Sequence, residues 1–378
     1  MQSKLPDVGT TIFTTMSGLA AQENAINLSQ GFPDFHCDPE LVELVYHYMK
    51  KGFNQYAQSP GLPLLRERIA NKTEKLYGTR YDPASEITLT AGASEALFCA
   101  ITALVHPGDE VIIFDPAYDL YIPVVQLNRG IPVQIKLSFP EYSINWGLVE
   151  KAISSKTRLI ILNSPHNPTG AVLSADDLHH LAELVKKTNI LILSDEVYEH
   201  IIFDELQHQS VVTVPELAER SIAISSFGKT YHVTGWKTGY ALAPTALTEE
   251  LRKVHQFNAF TINTPIQHAL ADYILKEEKY QTLGKFYQQK RDTFLDVMSG
   301  SRFKPLPCNG TYFQMMDYSA ISDLPDTEFA VKMTKEQKIA SIPVSVFYRD
   351  RDDNKVVRFC FAKEDDTFEE AGRILRNM

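Results

Sequence analysis

The feature that most constrains this chain is a series of short apolar runs, each ending in polar residues and separated by stretches of helical period. Ile87-Thr88-Leu89-Thr90 leads through Gly92 into a helical stretch from Ser94 to Val105. Glu110-Val111-Ile112-Ile113-Phe114 ends at Asp115-Pro116, and Arg158-Leu159-Ile160-Ile161-Leu162 ends at Asn163-Ser164-Pro165. A helical stretch from Leu178 to Lys187 precedes Ile190-Leu191-Ile192-Leu193, which ends at Ser194-Asp195-Glu196. Ile222-Ala223-Ile224 then opens into Ser225-Ser226-Phe227-Gly228-Lys229. Apolar strands alternating with helices predict an α/β fold, with a mostly parallel sheet covered on both faces. Ligands in such sheets bind beyond the carboxyl ends of the strands. The polar residues after Leu89, Phe114, Leu162, Leu193 and Ile224 are therefore expected to line one crevice.

Outside this core, Pro39 to Lys51 and Leu64 to Tyr77 read as helices. A long charged helix from Lys279 to Met298 marks a change of character, and Cys308 to Tyr318 and Val356 to Phe361 read as strands of a smaller α+β domain. The charged run Arg349 to Lys355 reads as a solvated hairpin tip. A length of 378 residues suits two domains. The net charge of −10 argues against nucleic acid or an anionic membrane as partner. The start lacks the apolar core of a signal peptide, and no stretch approaches transmembrane length. Cys37, Cys99, Cys308 and Cys360 are scattered, without metal or redox spacing, so reduced thiols in the cytoplasm are expected.

Each crevice position has an ordinary reading beside a chemical one. Gly92-Ala93-Ser94 between a strand and a helix offers free amides, a helix dipole and a hydroxyl to an anion; alone, Ser94 reads as a helix cap. Tyr118, after Asp115-Pro116, could present a ring to a ligand or pack in the core. The turn-rich segment Asn163 to Gly170 presents Asn167 as a hydrogen-bond donor, although an Asn-Pro turn is unremarkable by itself. Asp195 follows four apolar residues, where a carboxylate needs a cation or donors, or caps a helix. Lys229 stands at the last strand end, where burial lowers a lysine's pKa and exposes its nucleophilic form. A nucleotide P-loop is excluded, because Ala223 stands where its first glycine belongs, and no GxGxxG follows a strand. One ligand uses all five groups. Pyridoxal 5'-phosphate has an aldehyde for the lysine, a pyridinium nitrogen for the aspartate and a phosphate for the helix end.

With these motifs in order, the chain resembles the fold type I pyridoxal-phosphate enzymes, specifically the class I aminotransferases. Within them it is similar to the branch containing bacterial methionine aminotransferase and the kynurenine/glutamine aminotransferases. The resemblance runs from Asn27-Leu28-Ser29-Gln30-Gly31-Phe32-Pro33-Asp34 to Arg358-Phe359-Cys360-Phe361-Ala362-Lys363. It implies a mostly parallel seven-stranded sheet between helices. It also implies an N-terminal arm and part of the small domain in residues 1–38, a large domain in 39–278 and the rest of the small domain in 279–378.

By that resemblance Lys229 matches the Schiff-base lysine and proton shuttle, and Asp195 the pyridinium partner. Asn167 and Tyr198 match the groups that bond the phenolic oxygen, and Tyr118 the stacking ring. Ala93 (through its backbone), Ser94, Ser226 and Lys237 match the phosphate contacts. Arg358 matches the arginine that grips the substrate carboxylate, where a bidentate fork is natural. Tyr56 matches a tyrosine reaching the neighbouring subunit's phosphate, and Gly31 lies where the N-terminal segment closes over substrate; both imply a homodimer with shared active sites. Lys237 stands where many relatives carry arginine, which marks the kynurenine/methionine branch. Gly92 replaces a serine of the aspartate aminotransferases.

The implied reaction moves the amino group of an L-amino acid to a 2-oxo acid by a ping-pong cycle. No second arginine is placed for a dicarboxylate side chain, so aspartate is a poor donor. Phe13, Met16, Phe260 and Tyr312 near the expected pocket are compatible with methionine or aromatic donors, although such residues are more often core. A β-lyase acting on cysteine conjugates would use the same groups. A non-catalytic pyridoxal-phosphate-binding regulator would not need Lys229, Asp195 and Arg358 together.

Overall fold

A computed structural model describes residues 2–378. Its largest sheet has seven strands in the order Ile87–Thr90, Gly239–Leu242, Ser221–Ser226, Leu191–Asp195, Thr157–Asn163, Glu110–Asp115 and Ile131–Lys136. Gly239–Leu242 runs antiparallel to both of its neighbours, and the remaining pairs are parallel. Five strands are the apolar runs of the sequence. The other two carry weak signals. Ile131–Lys136 lies at the edge, where Pro132 is tolerated, and Gly239–Leu242 is four residues beginning on a glycine.

The pleat divides the inner parallel strands between two cores. Ile112, Phe114, Ile160, Leu162 and Ile192 face a buried cluster with Leu65, Ile69, Leu178 and Leu181. Val111, Ile113, Leu159, Ile161, Leu193 and Ile224 face another, built with Ala96, Leu97 and Ile101 of the helix Gly92–Leu104. A strand apolar on both sides is what two covered faces require.

A third core joins Leu28, Phe203, Phe294, Phe313, Phe359 and Phe368. It is covered by a four-stranded antiparallel sheet in the order Ile342–Pro343, Val356–Cys360, Phe313–Asp317, Lys304–Pro305, and by helices Leu283–Met298 and Asp365–Leu375. The N-terminal segment enters this unit, because Ile26–Asn27 pairs in parallel with Ile339–Ala340.

Two expectations are corrected. The helix expected over 279–298 is two helices, Glu278–Gln281 and Leu283–Met298, with the Thr282 hydroxyl bonded to the Glu278 carbonyl at their junction. The strand expected from Cys308 to Tyr318 narrows to Phe313–Asp317, because Thr311 takes a left-handed conformation at φ 67° and turns the chain. The charged run Arg349 to Lys355 is mostly exposed, in the connection between the antiparallel strands Ile342–Pro343 and Val356–Cys360, and it is pinned there. Lys136 on the edge strand pairs with Asp350 and Asp352 at 2.7 and 2.8 Å, and the Arg349 N–H donates to Asp115. Among the described residues no helix is long and apolar enough to cross a membrane.

Candidate active site

The carboxyl ends of the parallel strands open on a cavity of about 170 Å³. Ala93, Ser94, Tyr118, Asn167, Asp195, Tyr198, Ser226, Lys229 and Lys237 all line it. Gly31 and Arg358 stand beside it, hydrogen-bonded to its lining. Tyr56 does not; it is 84% exposed, edge-on to Phe260 at 5.4 Å.

One end of the cavity is a cradle of backbone. Gly92 opens the helix Gly92–Leu104 at φ 75°, a conformation that favours glycine. Lys237, itself left-handed at φ 49°, lies over it, and a Cβ on Gly92 would come 3.4 Å from Nζ. Beneath, Gly239 passes so closely that a Cβ would sit 2.9 Å from the Ala93 nitrogen and 2.8 Å from the Ser225 carbonyl. Helix dipole, amides, hydroxyls of Ser94 and Ser226, and an ammonium make this end suited to an anion. Behind the turn, Glu95 accepts from the Ala91 N–H and from His255 Nδ1, both at 2.7 Å, and His255 Nε2 reaches the Ser59 carbonyl at 2.9 Å. Sequence reasoning passed over Glu95 and His255, since only the fold brings positions 160 residues apart together.

At the centre, Asp195 is 3% exposed and has no cation in contact. It accepts from the Tyr121 hydroxyl at 2.7 Å, and burial pushes its pKa up to about 6. Tyr121 is a second residue that the sequence reading missed; three places after Tyr118 it looks like any buried aromatic. Burial likewise lowers Lys229 to about 8, so the neutral amine is accessible near neutral pH. Its Nζ donates to the Tyr312 hydroxyl at 2.7 Å and to the Gly31 carbonyl at 3.4 Å. The Tyr198 ring lies under this amine at 5.5 Å, and burial raises its phenol. Tyr118 is pushed up to about 12, chiefly by burial.

The loop after Asn163 is tied down before it presents anything. Asn163 Oδ1 accepts the Asn167 N–H at 2.8 Å, and its Nδ2 holds the Asp195 carbonyl at 3.0 Å. Asn167 Oδ1 accepts Arg358 Nη1 at 2.6 Å, which leaves the Asn167 Nδ2 hydrogens as its remaining donors. Arg358 has no exposed surface; Nη2 donates to the Ser29 carbonyl at 3.1 Å, the guanidinium covers the Phe313 ring at 3.7 Å, and Nε is buried without a partner. Burial lowers its pKa to about 10, and no described carboxylate forms an ion pair with it. A buried, incompletely bonded guanidinium is costly unless an anion joins it.

Of the four residues expected at a side-chain pocket, Phe13 lies 5.2 Å from the Arg358 guanidinium and Tyr312 touches Lys229. Met16 is core, 1% exposed. Phe260 is on the surface with Tyr56, because the chain turns left-handed (φ 65°) just after the helix Thr245–Asn258.

The residues present fit pyridoxal 5'-phosphate. The cradle suits a phosphate, Asp195 lacks the cation that a ring nitrogen would supply, and Lys229 offers an amine to an aldehyde.

Residues 23–375 match the family described as aminotransferase class I and II. The chain is 51% identical to methionine aminotransferase of Escherichia coli over 378 residues, covering all of this chain and 98% of that protein. It is 36% identical to human kynurenine–oxoglutarate transaminase 3, over 99% of this chain and 89% of the relative. Among solved structures, one from Escherichia coli described as having a methionine aminotransferase function superposes with a TM-score of 0.98 at 50% identity, covering 100% and 99% of the two chains. N-succinyldiaminopimelate aminotransferase of Mycobacterium tuberculosis superposes with a TM-score of 0.95 at 36% identity and the same coverage. The strand order, the crevice and these matches together establish that the chain belongs to the class I and II aminotransferases.

Proposed function

We propose that this aminotransferase works with pyridoxal 5'-phosphate, taking the amino group of methionine or of an aromatic, kynurenine-like L-amino acid and passing it to a 2-oxo acid in two half-reactions. The observation that carries the reading is one cavity holding a lysine of lowered pKa and a buried carboxylate without a cation, with the incompletely bonded Arg358 beside it. When bound, the cofactor supplies the electron sink that makes the substrate's α-hydrogen acidic. Asp195 keeps negative charge at the ring nitrogen, in a site too dry for water to screen it. Lys229 would hold the cofactor through its aldehyde, and its free Nζ is the base that would take the α-proton and later release it. Asn167 Nδ2 and the Tyr198 hydroxyl bond the phenolic oxygen, and Tyr118 stacks on the ring. The Ala93 amide, Ser94, Ser226 and Lys237 hold the phosphate. Arg358 takes the substrate carboxylate, and Gly31 closes over it.

The methionine and kynurenine relatives support the donor class, and Phe13 beside Arg358 suits an apolar side chain. A homodimer is supported by the exposed apolar face on which Tyr56 and Phe260 meet, with Phe257 88% exposed nearby in sequence. We assign residues 39–278 to the large domain and 1–38 with 279–378 to the arm and small domain. The four free cysteines suit a cytoplasmic location.

The test is to mix purified, cofactor-loaded protein with each amino acid in the absence of an acceptor and follow the cofactor's absorbance. Methionine and aromatic amino acids should convert it to the amino form, and Lys229→Ala should retain cofactor but not convert. Conversion by none of them, or undiminished conversion in Lys229→Ala, would remove the reading. Pyruvate and ammonia from a cysteine conjugate would replace it with the β-lyase.

A further inference from the structure

The Tyr312 hydroxyl touches both the Lys229 amine and the N-terminal segment. It accepts from Lys229 Nζ at 2.7 Å and donates to the Gly31 carbonyl at 2.5 Å. The side chain is completely buried, delivered by the left-handed turn at Thr311 and held edge-on by Tyr198 at 5.1 Å and Phe313 at 4.9 Å. Burial raises its phenol well above the ordinary value, so it stays protonated through neutral pH and keeps both bonds.

We propose that Tyr312 is a positioning residue that seats the free amine of Lys229 and ties it to the Gly31 segment. The inference rests on Lys229 being the reactive amine. A neutral amine has two hydrogens and one lone pair. Here the hydrogens go to Tyr312 Oη and to the Gly31 carbonyl, at 2.7 and 3.4 Å, which turns the lone pair away from both. A base on a flexible four-carbon stem is thus fixed in direction, although lysine alone samples many rotamers. When Nζ takes a proton it gains a third hydrogen and keeps both partners, so uptake and release need no new seating. The Gly31 carbonyl serves the amine and the phenol together, so displacement of the segment loosens both. Glycine is needed there, because a Cβ would come 2.8 Å from Phe313 Cζ.

The test uses full-length, cofactor-loaded protein driven by excess amino-acid donor without acceptor, the form in which Lys229 is free. Trace acetic anhydride is applied over about pH 6–10, and acetylation of the Lys229 peptide is followed by mass spectrometry. Wild type should show a midpoint below the 10.5 of an ordinary lysine. Tyr312→Phe removes the acceptor for the ammonium, and its midpoint should fall by about one unit. Its kcat should drop roughly tenfold or more, while donor KM and cofactor affinity stay within about twofold. A ring-fluorinated tyrosine at this position keeps the shape with a weaker acceptor, and should give an intermediate midpoint. It also decides the matter if the phenylalanine variant does not fold. Wild-type midpoints in the substituted proteins would overturn the role of Tyr312. Borohydride trapping of the cofactor on a residue other than Lys229 in wild type would instead overturn the assignment beneath it.

Discussion

Glu95→Gln removes one charge from a buried pair behind the backbone cradle and should weaken both stability and cofactor binding. The side chains of Glu95 and His255 are 7% and 0% exposed and meet at 2.7 Å. Removing one partner of such a pair costs about 3–5 kcal/mol; glutamine still accepts from Ala91, so about 3 kcal/mol is expected. The pH dependence follows from the shifts. Burial opposes both charges, but their bond and mutual attraction outweigh it. His255 is raised above its ordinary 6.5 and Glu95 lowered below 4.5. The pair's stabilisation is full between those two values. It declines as pH rises through the raised histidine pKa, and as pH falls through the depressed carboxylate pKa. Urea unfolding of wild type and variant, at matched protein and cofactor concentrations, should differ most at about pH 5–6 and converge above neutrality. The neutral amide holds the Ala91 N–H less strongly than the carboxylate does, and the weaker hold on the turn should lower cofactor affinity about tenfold. The double variant with His255→Gln should lose less than the two single losses summed. A variant within about 0.5 kcal/mol of wild type at all pH values, with unchanged affinity, would refute the argument.

Three other outcomes follow from the geometry. Lowering Lys229 from 10.5 to about 8 raises its neutral fraction at pH 7 roughly 300-fold, so capture of the cofactor by stripped protein should climb about tenfold per pH unit and level off above pH 8; a rate still climbing at pH 10 would show an unperturbed lysine. Arg358→Lys exchanges a fork for a point charge, and donor KM should rise about a hundredfold with cofactor content unchanged; an unchanged KM would place the substrate carboxylate elsewhere. Gly239→Ala forces a Cβ against the Ala93 nitrogen and Ser225 carbonyl, and should cost about 1–3 kcal/mol and weaken cofactor binding in a spectroscopic titration; unchanged binding would show that the close approach is dispensable.

Periodicity alone exposed the sheet where strands are apolar on both sides, as at Ile112-Ile113 and Ile192-Leu193. It failed where the signal is short or mixed, as at Gly239–Leu242 and Ile131–Lys136. Ser94, Tyr118, Asn167, Asp195 and Lys229 were legible because the crevice lies just past strand ends, a position countable along the chain, whereas Ala93, Tyr198, Ser226 and Lys237 were reached through the family resemblance. Phe260 was misplaced, because its direction depends on a single left-handed residue after a helix.

By itself, then, the order of residues determined the parallel sheet, the crevice and the placement of Lys229 and Asp195 at its edge, since apolar runs and their polar ends are local facts. Only the tertiary structure decided that Tyr121 holds Asp195, that Tyr312 and Gly31 hold Lys229, and that His255 holds Glu95. Those pairs come from separate elements. Burial then does what local sequence cannot, shifting each pKa by an amount that depends on what surrounds it.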